Sequence, residues 1–313
     1  MSLLPGVNTL ARDYDSGRST PEEAVSELLA TIDRLDSTIE AWQALYTDDA
    51  IDAALAATKA RAAGHRIGPF HGIPFALKDI VDVQGRVTTA GSKAWASRLS
   101  PSTALIARRL LAAGGVLLGK TKTVEFALGG WGTNQHMGTP RNPWDAENAR
   151  VPGGSSSGSG AAVASGMTPC AIGTDTGGSI RLPAHFCGIA GLKPTSGRVP
   201  CSGNALPSEG LWAPLSQPGP MTRFAKDLSL LLDVIEGPDL FDPNVRVAPK
   251  LQARDIDPKA LRIGFHLSNG LSAPTPAIQA ALQTVVDKLV NQGMDLREHR
   301  PDSIEMTPLI FSR

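Results

Sequence analysis

The chain has 313 residues, of which 42% are apolar and 19% charged, and its 30 Lys+Arg are matched by 30 Asp+Glu. That length suits one large α/β unit or two modest ones, with a real hydrophobic core. The even balance, without a basic stripe, argues against a nucleic-acid binder, no apolar run reaches bilayer length, and Met1-Ser-Leu-Leu-Pro5 has neither part of a signal peptide, so a cytoplasmic protein without membrane or nucleic-acid partners is expected.

Thr20-Pro21-Glu22-Glu23 carries an N-cap, a first-turn proline and a capping-box Glu, and Val25, Leu28, Leu29, Ile32 and Leu35 follow at helical spacing. A second, Ala-rich helix is predicted over 48–63. Residues 72–81 read as a buried strand, 100–114 as a helix closed by Gly114-Gly115, and 116–118 as a short strand. The stretch 129–160 is rich in Gly, Ser, Asn and Pro yet contains Trp131, Met137 and Trp144. Such large side chains suit an ordered loop better than a disordered linker. A helix is predicted over 157–165, a strand near 169–173, an apolar segment over 186–192, a helix over 224–235, a strand over 261–266 and a helix over 274–291. Alternating strands and helices indicate an α/β fold with a mixed, mostly parallel central sheet flanked by helices. Residues 1–65 read as an N-terminal helical segment packed on a core formed by 66–313, all within one domain. Cys170, Cys187 and Cys201 are odd in number and lack CxxC spacing, so buried thiols are expected, with no metal and no cofactor.

Two motifs match a pattern but not its context. Gly114 to Thr121 has Walker A spacing, yet a helix precedes it and its middle residues read as a strand, the reverse of a P-loop. Gly154-Ser155-Ser156-Ser157-Gly158 matches G-x-S-x-G with Ser156 as nucleophile, a reading that requires a downstream acid and histidine. His185, His266 and His299 leave it open by count.

Three further pieces occur in order: Ala76-Leu77-Lys78-Asp79, the run from Pro152 to Gly160, and Gly173-Thr-Asp-Thr-Gly-Gly-Ser179-Ile-Arg-Leu-Pro-Ala184. With the following Phe186-to-Thr195 segment they strongly resemble the amidase-signature family, most densely over 70–222. The resemblance implies an amide-bond hydrolase with Ser179 as nucleophile, Ser155 as a bridging serine after a cis peptide bond, and Lys78 as base. It also implies an oxyanion hole of backbone N–H groups at Thr176, Gly177, Gly178 and Ser179, and a loop at Leu128-Gly129-Gly130 beside the acyl pocket. Trp131 either lines that pocket or packs the loop.

The chemistry is consistent with these roles. A serine hydroxyl is a weak nucleophile until a base takes its proton. Lys is a base only when neutral, and burial lowers its ordinary pKa of roughly 10.4 by about 3–5 pH units. Ile73-Pro-Phe-Ala-Leu-Lys78 is apolar enough for this, and alternation along a strand turns Asp79 away from Lys78. Asp175 and Arg181 are expected to pair across the turn, and His185 to be a hydrogen-bonded structural histidine. A small-molecule amide is the expected substrate, with the glutamine-hydrolysing subunit of a tRNA-dependent amidotransferase as the alternative. The stretch from Pro200 to Gly210 favours a general amidase. Because family members are commonly about half as long again, the tail from Thr307 to Arg313 reads as cut short. Loss of the C-terminal portion of the fold would expose apolar surface, favouring instability or association; an inactive fragment is a further alternative, and a homodimer is among the expected partners.

Overall fold

The computed structural model describes residues 5–206, 210, 213–247, 249 and 255–307. Residues 207–209 of the Pro200–Gly210 stretch and the 308–313 tail therefore lie outside the described residues. The chain forms two compact units, Met1–Ala248 and Pro249–Arg313.

In the first unit the elements run α1 (Val7–Asp15), α2 (Pro21–Ile39), β1 (Trp42–Leu45), α3 (Thr47–Ala62), β2 (Pro74–Lys78), α4 (Leu105–Ala112), β3 (Val116–Thr121), α5 (Ser157–Ala164), β4 (Cys170–Asp175), α6 (Arg181–Cys187), β5 (Ala190–Gly191), β6 (Gln217–Thr222) and α7 (Leu228–Ile235). α2 begins as its sequence dictates: Thr20 accepts from Glu23 N–H, and Glu23 returns the bond to the Thr20 amide. The six strands order as β1-β3-β2-β4-β6-β5. Parallel pairing is confined to the centre, β3–β2–β4, and the outer pairings are antiparallel.

Each face of this sheet has its own core. One gathers Phe75, Leu77, Cys170 and Ile172 against Val7 and Leu10 of α1, Ile106 and Leu110 of α4, and Leu231 and Ile235 of α7. The other gathers Ala76, Leu118 and Ala171 against Val25, Leu28 and Ile32 of α2, Ala50 and Ala54 of α3, and Ala161 and Ala162 of α5. The first two helices thus contribute to the same cores as the central strands.

In this sheet β1, β5 and β6 are not among the strands expected from the sequence. β1 has only four residues between two helices. β6 contains Pro218 and Pro220, which argue against an interior strand. Pro220 accepts from Leu192 N–H with its carbonyl facing β5, so its missing N–H lies on that same side, where β5 pairs through only two residues. The ladder to β4 is left intact over six residue pairs.

The loops of 129–156 are ordered although Trp131 is 68% and Trp144 77% exposed, and the Trp144 indole N–H donates to Cys187 O at 2.8 Å. Buried asparagines anchor them as well. Asn134 donates to the carbonyls of Gly91 (2.7 Å) and Thr123 (3.0 Å), and Asn142 donates to Phe186 O at 2.8 Å. An amide that satisfies several backbone groups fixes a loop without apolar burial.

The second unit contains β7 (Arg262–Phe265), α8 (Pro276–Asn291) and β8 (Asp295–Glu298), with β7 and β8 pairing in parallel across the connecting helix. Thr275 caps α8 ahead of its first-turn proline.

Candidate active site

β2 ends at Lys78, which pairs in register with Thr121 and projects from the face covered by α5. The side chain is fully buried, and its Nζ lies 2.6 Å from Ser155 Oγ and 2.9 Å from Thr174 Oγ1. Burial lowers the Lys78 pKa to about 7, against the opposing pull of Asp175. A large share of the side chain is therefore a neutral amine with a free lone pair near neutral pH.

Ser155 sits just ahead of α5, after a cis Gly154–Ser155 peptide. Gly154 is required by crowding, since a Cβ there would lie 2.7 Å from Gly132 N and 2.8 Å from Gly129 O. Its amide donates to Gly130 O at 2.7 Å, tying the 128–131 loop to the serine run. That loop holds Leu128 at 81% exposure, and the Trp131 ring centroid stands 6.3 Å from that of Phe186.

Ser179 lies near the end of the turn between β4 and α6. The turn is organised by Asp175, which is fully buried and accepts from the amides of Gly178 (2.7 Å), Ile180 (3.1 Å) and Arg181 (3.2 Å), as well as from the Arg181 guanidinium at 2.9 Å on both oxygens. The expected Asp175–Arg181 pair is thus present. One expected oxyanion donor is not available, however: the Gly178 N–H is committed to Asp175, which leaves Thr176, Gly177 and Ser179 of the anticipated set. The Ser179 carbonyl accepts from Ser156 N–H at 3.1 Å, which brings the Ser179 turn against the Ser155 segment. The Ser179 side chain is half-buried, and among the described residues its hydroxyl makes no hydrogen bond. Catalytic hydrogen bonds are often long in a free enzyme and tighten with substrate.

The competing motifs take structural places. Ser156 Oγ is turned onto the backbone of Thr174, accepting from its N–H and donating to its carbonyl, both at 3.3 Å. Residues 116–121 are strand, and Lys120 is buried against Asp79. His185 is exposed and meets Phe186 edge-on, without the hydrogen bond expected of a structural histidine among the described residues. Thr174 was not legible as a functional side chain, because a threonine at a strand end has no pattern of its own. Among the described residues no cluster of His, Cys, Asp and Glu is arranged to hold a metal, and no helix is long and apolar enough to cross a membrane.

The Amidase family pattern matches residues 23–312. The chain belongs to the amidase family. Among relatives of this amidase-family chain, a glutamyl-tRNA(Gln) amidotransferase subunit of Chloroflexus aurantiacus is 42% identical over 284 residues, 89% of this chain and 56% of that protein. The protein of the same name from Deinococcus deserti is 40% identical, covering 92% and 58%. The chain thus spans somewhat more than half the length of these relatives. Among solved structures, 6-aminohexanoate cyclic dimer hydrolase in complex with substrate superposes with a TM-score of 0.85 at 30% identity, over 96% of this chain and 62% of that one. Peptide amidase from Stenotrophomonas maltophilia gives 0.82 at 31%, over 94% and 62%.

Proposed function

We propose that this amidase-family chain hydrolyses amide bonds through an acyl-enzyme, with Ser179 as nucleophile, Ser155 as proton relay and Lys78 as base. The observation that carries the reading is the buried Lys78 amine, with a pKa near 7, held 2.6 Å from Ser155 Oγ beside the Ser179 turn. Neutral Lys78 takes the Ser155 proton as Ser155 takes that of Ser179, and Ser179 Oγ attacks the amide carbon. The oxyanion is met by the N–H groups of Thr176, Gly177 and Ser179, each such donor contributing about 2.7–4 kcal/mol to lowering the barrier. The Lys78 proton returns through Ser155 to the leaving amine, the C–N bond breaks, and water hydrolyses the ester by the same relay. Leu128, Gly129, Gly130 and Trp131 form the wall that meets the acyl group, and no cofactor enters the scheme. The names of the structural relatives, a cyclic dimer hydrolase and a peptide amidase, support a small amide substrate.

A second reading, the glutamine-hydrolysing subunit of a tRNA-dependent amidotransferase working with partner subunits, is favoured by the names of the 39–42% identical relatives. Glutaminase activity that rises on adding partner subunits would select it over a free-standing amidase. Fluorophosphonate labelling followed by peptide mapping tests the common core of both. The adduct is expected on Ser179, lost in Ser179→Ala and retained in Ser156→Ala. An adduct on Ser156 would overturn the assignment.

A further inference from the structure

A second buried lysine lies close to Lys78. Lys120 of β3 is fully buried, and its Nζ donates to Asp79 Oδ1 at 3.0 Å and to Thr88 Oγ1 at 2.9 Å. The other Asp79 oxygen accepts from the Thr89 amide at 3.0 Å and the Thr89 hydroxyl at 2.5 Å. Lys120 reaches Asp79 because β3 is irregular at Gly119. Leu117 pairs with Phe75 but Gly119 with Ala76, so the extra residue places Lys120 opposite Leu77 and Thr121 opposite Lys78. Lys120 and Lys78 therefore leave the sheet on opposite faces. A buried ion pair seldom adds stability over well-packed apolar side chains, and no step of the proposed chemistry touches this one.

We propose that Lys120 is a positioning residue for the hydrolytic reaction: it holds the Asp79 carboxylate on the far face of the sheet and cancels its charge, so that the adjacent Lys78 serves as a neutral base. The proposal rests on the reading of Lys78 given above. An ionised carboxylate one residue along the chain would favour the ammonium form, whereas a closed Asp79–Lys120 pair exerts little net field at Lys78. The other groups around Lys78 leave that task unfilled. Asp175 of β4 favours the ammonium and is engaged by Arg181 and three amides. α5, packed over Lys78, carries no ionisable side chain, the β3 neighbour in register is Thr121, and Lys122 just beyond β3 is paired with Glu40. Around Asp79, Asp82 is closed by Arg98 with two bonds of 2.8 Å, and burial pushes the Tyr46 phenol up to about 12, so it is uncharged.

The test is the rate of fluorophosphonate labelling at Ser179 in the whole chain as a function of pH, with melting temperature measured alongside. Lys120→Met leaves Asp79 unopposed and is expected to move the acid limb up by about one pH unit, and Asp79→Asn leaves Lys120 unopposed and should move it down by a similar amount. The double variant should restore the wild-type limb. Opposite shifts that cancel are not produced by a merely structural pair, which would lower the melting temperature and leave the limb in place; that result overturns the proposal. If one single variant fails to fold, the other read against the double variant still fixes the sign. Labelling that persists in Lys78→Met would instead remove the base reading itself. A fixed limb with Lys78 still required would remove only the role of Lys120.

Discussion

The Lys78 amine and the Ser155 hydroxyl stand 2.6 Å apart in a fully buried contact, and neither side chain has access to solvent. A water-exposed lysine would remain an ammonium at neutral pH and could only donate to that serine. Here burial brings the pKa to about 7, so the direction of proton transfer can reverse during turnover.

The pH profile follows from that value. The base must be unprotonated in the free enzyme, so kcat/KM is expected to rise with pH through a single limb centred near 7. Lys78→Ala should remove both the limb and nearly all of the rate, by 10²-fold or more, on the order of the 10²–10⁴ contributed by a positioned base. A limb near pH 4 or above 10 in a steady-state profile would contradict the assignment.

The same burial acts on stability, with a sign that can be worked out. Lys78 titrates near 10.5 in the unfolded chain and about 7 in the folded one, so between these values the unfolded state binds more protons and stability rises with pH. The cost is therefore fully present below about pH 7 and is relieved towards 10.5. Lys78→Met is expected to be inactive yet more stable than wild type at pH 6, by about 1–3 kcal/mol. Denaturant titrations at pH 6 and pH 9 should show the advantage shrinking at the higher value.

Thr174 is the third member of this contact, accepting from Lys78 Nζ at 2.9 Å. With one N–H held by Thr174, the amine is oriented towards Ser155. Thr174→Val keeps the shape and removes the acceptor, and should cost about tenfold in kcat/KM, equivalent to about 1.4 kcal/mol. Thr174→Ser, which restores a hydroxyl, should recover most of the loss, whereas equal loss in both variants would mark a packing effect.

How far the site was legible depended on the kind of signal each residue carries. Lys78, Ser155 and Ser179 lie in runs of Gly, Ser and apolar residues that are hard to reach by chance, and α2 announced itself through Thr20 and Glu23. Non-local contacts left no such trace. The loss of the Gly178 amide to Asp175, the Asn134 and Asn142 anchors of the loops, and the prolines admitted to β6 by the shortness of β5 are all settled by what packs alongside. The Walker-like Gly119-Lys120-Thr121 is the clearest case. Its letters record a strand irregularity, a buried ion pair and a hydroxyl contact to Ser159 at 2.7 Å.

Gly119 gives the last expectation, because the irregularity that separates Lys78 from Lys120 depends on it. Its φ of 155° lies at the edge of the region open mainly to glycine, and a Cβ would meet Ala44 O at 2.2 Å. The obstacle is backbone of the neighbouring β1, so no side-chain rotation relieves it. Gly119→Ala must either push β1 off the sheet or let β3 slide by one residue, which would turn Lys120 to the opposite face and strand Asp79 without its counter-charge. A loss of about 2–4 kcal/mol in denaturant unfolding is expected. Gly17→Ala provides a comparison, since its φ of 69° is also positive but no atom lies within 4 Å of the added Cβ. Conformational strain alone should cost it about 1 kcal/mol. Equal losses at the two positions would mean that the close approach of β1 adds nothing to the strain of the backbone angle.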